Sequence, residues 1–419
     1  MSSIALPNQQ SSLESWLAHL LSIHPTEIDM GLGRVSQVAK AMGLTQLGDT
    51  KVVTVAGTNG KGTTCVMIEQ MMAAAGWKVG VYSSPHMLKY NERVRIAGVD
   101  VSDRDLIDAF CAIDSARGDI SLTFFEYATL AGLYLFKQSA LDLVLLEVGL
   151  GGRLDATNII DADISVITSI DIDHQEYLGD TRELVGREKA GICRAGRPLV
   201  VGDADLPTSV IEVASRMGAQ LIRVGEDFNY HQDDKGWHFS GVQWQLDNLP
   251  PVQLPLPNAA TALAVVEQLL PTIDKSHLCS GLQQARLTGR LELFRDAPIT
   301  LLDVAHNPHA ARYLAQRLEV YRDKRIVALC GMLKDKDCQA VIASLSEVID
   351  VWYFTDLDCP RSAKASQLMA CLSPESEGYP FESIEQAYKA LNANICDDDV
   401  VIVFGSFYTV AEFKHLHLG

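Results

Sequence analysis

The sequence predicts an α/β protein with two domains, of which the first is the larger. The chain has 419 residues, which exceeds what one hydrophobic core usually organises. Short apolar runs typical of buried strands alternate with helix-like stretches, and this alternation indicates a mainly parallel sheet covered by helices. A second alternating series begins after about residue 290, so a second sheet is expected there.

The first strand is expected at Lys51–Ala56, because its apolar run leads into a glycine-rich loop at 57–62 and a helix at 63–75. Further strands are expected at 78–82, 143–148, 164–170 and Pro198–Val201, and further helices at 103–116, Phe124–Gln138 and Arg182–Ala190. A small hairpin around 237–246 and helices at 258–270 and 276–285 complete the first domain.

The second series places strands at 299–304, Ile326–Cys330, Val351–Thr355 and Val400–Phe404, with helices between them. We therefore expect a first domain at 1–290, a linker at 291–298 and a second domain at 299–419.

Composition and charge exclude several classes of protein. A formal net charge of −18 opposes broad binding to nucleic acids or anionic membranes. The nine cysteines are an odd number without paired CxxC spacing, so neither a disulfide framework nor a structural zinc site is indicated. The polar N-terminus has no signal-peptide pattern, and no apolar segment reaches membrane-spanning length. These features predict a cytoplasmic protein without nucleic-acid or membrane partners.

The strongest local motif is residues 57–64, Gly-Thr-Asn-Gly-Lys-Gly-Thr-Thr. Glycines let backbone N–H groups approach phosphates, the following helix presents its positive end, and Lys61 would reach the terminal phosphates. The spacing is shorter than Walker A, and Gly62 stands where Ser or Thr normally follows the lysine. A glycine turn capped by Thr63 is the structural alternative, but it gives Lys61 no purpose. The motif therefore favours nucleotide binding.

Three side chains could hold a metal ion close to this loop. Glu147 ends a buried strand before a glycine-rich loop, and open parallel sheets bind ligands at that edge. His174 follows another apolar strand and could lie beside Glu147 across neighbouring strand ends, although Mg²⁺ prefers oxygen ligands. Ser84 precedes Pro85 and is equally explained as a turn residue. A solvated Glu147 and a hydrogen-bonded loop His174 also remain open.

Three further residues could serve either chemistry or structure. Lys189 lies near the end of a predicted helix, where a cation suits the helix dipole. Asp303 and His306 follow the first strand of the second domain, and a helix is expected to begin at about Pro308. The pair could contact a nucleotide, but a generic turn explains the segment equally well.

Taken together, these motifs resemble the folate-synthase branch of the Mur ligase superfamily over nearly the whole chain. The segments that carry the resemblance are 28–32, 57–64, 83–86, 122–126, 147–158, 173–174, 187–191 and 303–310. The resemblance implies an N-terminal P-loop-type ATPase domain with a mainly parallel sheet and a smaller Rossmann-like C-terminal α/β domain. It also implies a monomer.

The activity implied by the resemblance is ATP-dependent ligation through an acyl phosphate. L-glutamate would be joined to 7,8-dihydropteroate to form dihydrofolate, and further glutamates would be added to tetrahydrofolate and its polyglutamates. Mg²⁺ is the implied cofactor and ATP the co-substrate.

The resemblance also implies a role for particular residues. ATP would be bound by Thr58, Asn59, Gly60, Lys61, Asn258, Arg290 and Asp303, and Mg²⁺ by Ser84, Glu147 and His174. Dihydropteroate would be bound by Glu27, Ile28, Asp29, Met30, Thr123, Phe124, Phe125, Glu126, Leu154, Asp155 and Ala156. Catalytic roles fall to Lys61, Lys189 and His306, with Lys189 carbamylated by CO₂ and His306 orienting the reacting groups. One departure is Thr288, where the family usually has proline before Gly-Arg.

Other functions stay open at this level. A folylpolyglutamate synthase with one activity would fail to use dihydropteroate, although Asp155 favours its use. A nucleotide-dependent switch would hold or hydrolyse nucleotide without glutamate-dependent turnover. A peptidoglycan ligase is disfavoured, because its UDP-sugar substrate normally requires a separate domain before the phosphate loop.

Overall fold

The computed structural model describes residues 6–26 and 28–417, which fall into two compact units divided between Ala285 and Arg286. The main sheet of the first unit has eight strands: β1 (Lys51–Ala56), β2 (Val79–Tyr82), β3 (Val94–Ile96), β4 (Val99–Asp100), β5 (Leu143–Glu147), β6 (Ile164–Ile167), β7 (Pro198–Val201) and β8 (Gln220–Arg223). Their order is β4-β3-β2-β5-β1-β6-β7-β8. The six strands from β2 to β8 in this order are parallel. Strands β3 and β4 add an antiparallel edge beside β2.

Ten helices belong to the described part of the first unit. They are α1 (Leu13–Ser22), α2 (Gly33–Ala41), α3 (Lys61–Ala74), α4 (Asp103–Arg117), α5 (Phe124–Gln138), α6 (Gln175–Leu178), α7 (Arg182–Ala190), α8 (Thr208–Met217), α9 (Leu256–Leu269) and α10 (Lys275–Gln284). Helices α4 and α5 pack together with α1 and α2 against them, and their apolar side chains form one large core with β1 and β5. Helix α3 packs between α9 and α10.

Local sequence explains where the helices around the site begin. Helix α5 starts with a capping box, in which the Thr123 hydroxyl accepts from the Glu126 N–H and the Glu126 carboxylate accepts from the Thr123 N–H. The same arrangement of Ser102 and Asp105 begins α4. Each box satisfies N–H groups that a helix end leaves without an intrahelical partner.

A small antiparallel sheet follows the main sheet in the first unit. Its strands are β9 (Asn229–Asp233), β10 (Gly236–Ser240) and β11 (Gln245–Leu249), in the order β11-β10-β9. The predicted hairpin at 237–246 is therefore the β10–β11 part of a three-stranded sheet.

The second unit contains a six-stranded sheet with its own apolar core. The strands are β12 (Glu292–Asp296), β13 (Ile299–Leu302), β14 (Ile326–Cys330), β15 (Val351–Thr355), β16 (Glu377–Phe381) and β17 (Val400–Phe404), in the order β12-β13-β17-β14-β15-β16. All pairs are parallel except β12 with β13. The helices are α11 (Pro308–Leu318), α12 (Cys338–Ala343), α13 (Ala365–Met369), α14 (Ile384–Asn392) and α15 (Phe407–His415).

The predicted α/β class is confirmed, with a mainly parallel sheet in the first unit and a mixed sheet in the second. The buried strands β1, β7, β14, β15 and β17 have the predicted bounds, because a strand covered on both faces reads as a continuous apolar run. Strand β12 lies inside the segment expected to be a linker, 291–298. It is an edge strand with an exposed Leu293, so it lacks the apolar run that marks a buried strand.

No helix within residues 6–26 and 28–417 is both long enough and apolar enough to cross a membrane.

Candidate functional site

Four neighbouring parallel strands of the first unit end at one edge of the sheet, in the order β2-β5-β1-β6. Ser84 follows β2, Glu147 ends β5, the phosphate loop follows β1, and the segment 168–174 follows β6. Since the carboxyl ends of parallel strands meet at the same edge, the predicted groups gather where such sheets bind ligands. One expectation needs correction: Glu147 and His174 follow strands that are not neighbours, because β1 lies between β5 and β6.

The phosphate loop is held by the segment that follows β6. The Thr58 N–H donates to the Ser169 carbonyl at 2.8 Å, and the Asn59 N–H donates to Ser169 Oγ at 3.0 Å. Thr58 Oγ1 donates to the Asp171 carbonyl and accepts from the Asp171 N–H, both at 2.9 Å. Thr168 Oγ1 donates to the Asn59 carbonyl at 2.6 Å. The loop is therefore fixed by hydroxyls and backbone groups outside the motif itself.

The glycines of the loop are required by close approach and by backbone conformation. A Cβ at Gly57 would lie 1.9 Å from Thr168 Oγ1, so only glycine fits there. Gly60 has φ +87° and would place a Cβ 2.6 Å from Asn258 Oδ1. Asn258 Nδ2 in turn donates to Thr63 Oγ1 at 2.7 Å. Asn258, which was predicted to bind ATP from a distant part of the sequence, thus lies against the loop.

Helix α3 begins at Lys61, two residues earlier than predicted, and has no acidic residue in its first turn. A cation at this end opposes the helix dipole, so Lys61 is poorly placed for helix stability alone. Lys61 Nζ donates to the Gly57 carbonyl at 2.9 Å, which folds the side chain back over the loop. Thr63 lies inside the first turn and donates to the Gly60 carbonyl at 2.8 Å, so it does not cap the helix as the structural alternative required. The arrangement suits an anionic ligand at the start of α3.

Glu147 and Ser84 come together at the ends of β5 and β2. The buried Glu147 carboxylate accepts from the Ser84 N–H at 3.3 Å through Oε2. Burial raises the pKa of the Cys65 thiol in α3, and the negative charge of Glu147 raises it further, which places Glu147 close to α3 as well. His174 has φ +50° and immediately precedes α6. The structure thus brings the Ser84 backbone and the Glu147 carboxylate together, and their role in metal binding stays a prediction.

A buried carboxylate next to a phosphate loop suits a divalent cation. Within residues 6–26 and 28–417, no group of three or more His, Cys, Asp or Glu side chains is placed to hold a metal ion. Mg²⁺ is usually bound by one or two carboxylates while water and substrate phosphates complete its shell. The Glu147 carboxylate, at the end of the strand beside the one that leads into the phosphate loop, fits that mode of binding.

Lys189 lies near the end of α7 and is buried, with 3% of its surface exposed. Burial lowers its pKa to about 7, the charge of Lys61 contributes to the lowering, and Asp173 opposes it. Lys189 is thus within electrostatic range of the phosphate loop and of the segment after β6. Burial and a second nearby cation both disfavour the charged form of a lysine, and only the charged form stabilises a helix dipole.

The three predicted dihydropteroate segments lie near one another in the first unit. The Asp29 and Glu126 carboxylates both pair with Arg34, Asp29 Oδ2 at 2.7 Å and Glu126 Oε1 at 3.2 Å. A Cβ at Gly149 would lie 2.6 Å from the Phe125 ring, so the glycine loop after β5 lies directly against α5. Segment 28–30 is also close to that loop, because a Cβ at Gly151 would lie 3.7 Å from Met30 Cε.

The remaining residues of this predicted set are placed as follows. Ile28 and Leu154 are half-buried, Ala156 is buried at the start of a 3₁₀ turn, and the Phe124 ring packs edge-on against Tyr90 with ring centroids 5.5 Å apart. Glu27, which was also predicted to bind dihydropteroate, lies outside the described residues.

Asp155 organises the glycine loop that follows β5. Its Oδ2 accepts from the N–H groups of Gly149 and Leu150 at 3.0 and 3.1 Å, and its Oδ1 accepts from the Thr157 N–H and hydroxyl at 2.9 and 2.7 Å. Burial raises the pKa of Asp155, and these hydrogen bonds oppose that rise. The loop also reaches Lys189, because a Cβ at Gly152 would lie 3.0 Å from the Lys189 carbonyl.

In the second unit, Arg290 and Asp303 lie close together at the carboxyl end of β13. Asp303 accepts from the N–H groups of Leu291 and Ala305 at 2.9 and 2.8 Å. Burial raises the pKa of Asp303 and the positive charge of Arg290 opposes the rise. Arg290 also stacks over the Phe407 ring at 5.2 Å.

His306 lies beside this pair in the chain and is oriented by a backbone contact. Its Nδ1 is 2.8 Å from the Val304 carbonyl, and because a carbonyl can only accept, Nδ1 carries a proton in this contact. Helix α11 begins at Pro308 as predicted, with the Asn307 side chain accepting from the Ala310 N–H at 2.9 Å.

Three residues that hold the phosphate loop and the dihydropteroate segments in place were not predicted from the sequence. Thr168 and Ser169 hold the phosphate loop, and Arg34 joins two of the dihydropteroate segments. Hydroxyl residues directly after a buried strand were the available signal for the first two. For Arg34 the signal was a basic residue at the start of a helix, where the dipole disfavours it.

Two family models cover most of the chain. The Mur ligase middle domain matches residues 55–249, and the Mur ligase glutamate ligase domain matches residues 289–407. A dihydrofolate synthase/folylpolyglutamate synthase of Escherichia coli strain K12 is 48% identical, over 97% of this chain and 95% of that protein.

Solved structures agree with these matches. The E. coli FolC structure in complex with DHPP and ADP has a TM-score of 0.95 and 47% identity, covering 98% of this chain and 99% of its own. A bifunctional folylpolyglutamate synthase/dihydrofolate synthase with Mn, AMPPNP and L-glutamate bound has a TM-score of 0.93 and 48% identity, covering 98% and 99%. The phosphate loop, the buried carboxylate and these full-length similarities together show that the chain belongs to the dihydrofolate synthase/folylpolyglutamate synthase family of Mur ligases.

Proposed function

We propose that this chain is an ATP-dependent ligase with two activities. It joins L-glutamate to 7,8-dihydropteroate to form dihydrofolate, and it adds further glutamates to tetrahydrofolate and its polyglutamates. The observation that carries the proposal is that the phosphate loop and the glycine loop organised by Asp155 follow adjacent strands, β1 and β5, at one edge of one sheet. Relatives whose full length this chain spans carry both activities in their names.

The reaction would proceed through an acyl phosphate. ATP transfers its terminal phosphoryl group to the pteroate carboxylate and leaves as ADP. The glutamate amine then attacks the carbonyl carbon of the acyl phosphate, giving an amide and releasing phosphate and a proton. The phosphoryl transfer depends mainly on positioning and on stabilising charge. We assign this to Lys61 and to the backbone N–H groups of Thr58, Asn59 and Gly60, with Asn258 holding the loop in place.

We assign Mg²⁺ to Ser84, Glu147 and His174, where it would neutralise phosphate charge when bound. Lys189 is the residue we propose to be carbamylated, because burial and Lys61 together favour the neutral amine that attacks CO₂. The product is a carbamate with a negative charge and one released proton.

We assign Arg290, Asp303 and His306 to nucleotide use by the second unit, where Asp303 and Arg290 are held close together. His306 would orient reacting groups rather than transfer a proton. We further propose that the protein is a monomer, which light scattering of the purified protein tests.

The test is ADP release by the purified protein with ATP, Mg²⁺ and L-glutamate, comparing 7,8-dihydropteroate with tetrahydrofolate. Turnover with both acceptors supports the proposal, and turnover with tetrahydrofolate alone reduces it to a folylpolyglutamate synthase. ADP release that does not depend on glutamate identifies a nucleotide-dependent switch instead.

Two lysine variants make this test specific to the site. Lys61→Ala should lower kcat by about a hundredfold or more, since it removes charge stabilisation from the phosphoryl group. Lys78→Ala is the matched control, because Lys78 Nζ donates to the Ser139 carbonyl at 2.6 Å in a solvent-exposed hydrogen bond and takes no part in the loop. Equal activity of the two variants would contradict the role of Lys61.

A further inference from the structure

Arg34 connects two segments that are far apart in the sequence and that both belong to the proposed acceptor site. Its Nη1 lies 2.7 Å from Asp29 Oδ2, and its Nη2 donates to the Asp29 carbonyl at 2.9 Å. On the other side, Nη2 donates to Glu126 Oε1 at 3.2 Å and Nε lies 3.5 Å from Oε2. One guanidinium thus spans the side chain and backbone of Asp29 and both carboxylate oxygens of Glu126.

The position of Arg34 is unfavourable for helix stability on its own. It is the second residue of α2, a helix with no acidic residue in its first turn and no side-chain cap. A cation there opposes the helix dipole. The two carboxylates therefore explain the presence of the arginine, and a planar guanidinium is the group that can contact both at once.

A second side chain contacts the same oxygen of the Asp29 carboxylate. His24 Nε2 lies 3.3 Å from Asp29 Oδ2, and His24 Nδ1 lies 3.2 Å from Ser121 Oγ. The His24 side chain is 7% exposed, whereas the Asp29 side chain is 40% exposed, so a buried imidazole holds a carboxylate at the protein surface. Asp29 is therefore connected to the start of α5 twice, through Arg34 to Glu126 and through His24 to Ser121.

These contacts matter because residues 28–30 form neither helix nor strand. Their conformation depends on side-chain contacts rather than on a backbone ladder. The Glu126 carboxylate also accepts from the Thr123 N–H at 2.8 Å. Arg34 therefore connects segment 28–30 directly to the capping box of α5.

We propose that Arg34 is a positioning residue for the pterin acid, holding segment 28–30 against segment 123–126 so that both contact the acceptor together. The inference rests on the proposed function, since it assumes that these segments bind 7,8-dihydropteroate. In this role Arg34 acts through the two segments and need not contact the substrate.

The experiment compares the full chain with the variants Arg34→Gln and Arg34→Lys. Calorimetry measures 7,8-dihydropteroate binding without turnover, and steady-state kinetics give kcat and the KM values for dihydropteroate and ATP. For Arg34→Gln we expect dihydropteroate affinity to fall and its KM to rise by about ten- to a hundredfold, with the KM for ATP unchanged. Arg34→Lys should be intermediate, because an ammonium keeps the charge but cannot span both carboxylates.

The matched control is Arg104→Gln. Arg104 lies on α4, pairs with Asp108 at 2.9 Å and is 59% exposed, so its loss removes a helix-surface ion pair away from the acceptor segments. This control should bind and turn over dihydropteroate like the unchanged chain.

Two results would overturn the inference: unchanged dihydropteroate affinity in Arg34→Gln, or an equal loss in ATP affinity and kcat, which would indicate general damage to the fold. The proposed function fails separately. If the unchanged chain binds dihydropteroate but shows no glutamate-dependent ADP release, the ligase assignment is wrong. The ratio of dihydropteroate affinities between the unchanged chain and Arg34→Gln then still decides the role of Arg34. If the unchanged chain binds no dihydropteroate, both are wrong.

Discussion

Lys189 is a buried lysine whose environment favours its neutral form. Burial is the main reason that its pKa is lowered to about 7, and the charge of Lys61 adds to the effect. A neutral amine is the nucleophile that adds to CO₂, so we expect a carbamate at Lys189 in the presence of bicarbonate. Carbon-13 NMR of protein equilibrated with labelled bicarbonate should show a carbamate signal that disappears in Lys189→Arg.

The pH dependence of this signal follows from the direction of the shift. Below pH 7 Lys189 gains a proton and can no longer attack CO₂, so carbamate and ligase activity should both fall as the pH drops through this range. An exposed lysine, by contrast, stays largely protonated up to about pH 9, so its reaction with CO₂ would fall off at a higher pH. Retention of the labelled carbamate in Lys189→Arg would place the modification elsewhere, and Lys189→Ala with unchanged kcat would show that the lysine has no catalytic role.

At the scale of the element, the phosphate loop shows that a glycine can be required both by its backbone conformation and by the close approach of a neighbour. Gly60 and Gly76 have nearly the same φ, +87° and +86°, but they differ in their surroundings. A Cβ at Gly60 would lie 2.6 Å from Asn258 Oδ1, whereas a Cβ at Gly76 would meet nothing within 4 Å. The two positions therefore separate the cost of backbone conformation from the cost of a steric clash.

Gly76→Ala should lower the free energy of unfolding by about 1–2 kcal/mol, the cost of a left-handed conformation, and leave ATP affinity unchanged. Gly60→Ala should be less stable than Gly76→Ala and should bind ATP at least about tenfold more weakly, because the loop must shift to relieve the clash. Urea unfolding and calorimetric titration with ATP measure the two quantities. Equal ATP affinity in the two variants would mean that the conformation of Gly60 is not needed for nucleotide binding.

The same scale shows which parts of the fold could be predicted from sequence. Strands covered on both faces, such as β1 and β14, have continuous apolar runs and were predicted with their observed bounds. Edge strands were missed, because one side of an edge strand meets solvent and its pattern is polar. Strand β16 has mostly half-buried or exposed residues and contains Pro380, which tolerates only an edge position.

The candidate site divides along similar lines. Residues within one compact motif, such as Gly57 to Lys61, could be recognised because their chemistry and spacing are local. The contact of Asn258 with this loop and the contact of Arg34 with Glu126 depend on how distant helices pack. Asn258 was named only through the family resemblance, and Arg34 was not named at all. The roles assigned to the predicted site residues stay predictions until the variants are measured.

At the scale of the whole molecule, the position of the domain boundary can be tested with fragments. The expected second domain begins at residue 299, whereas the second compact unit begins at Arg286 and includes β12. Strand β12 pairs with β13, its Phe294 ring packs against Phe413 with centroids 5.4 Å apart, and Glu292 pairs with Lys414 at 2.7 Å. A fragment that starts at 299 loses all of these contacts.

We expect fragment 286–419 to fold cooperatively, because the second unit has its own sheet and apolar core. Fragment 299–419 should be less stable by about 2 kcal/mol or more, since burial of the Phe294 side chain and the β12–β13 pairing are lost together. That difference lowers the midpoint of thermal unfolding by about 5 to 10 °C, which circular dichroism measures directly. If the two fragments melt at the same temperature, β12 adds nothing to the second unit and a linker at 291–298 describes the boundary better. If only the longer fragment unfolds cooperatively, the unit that folds independently includes Arg290, and the proposed nucleotide residues Arg290, Asp303 and His306 then belong to one folding unit.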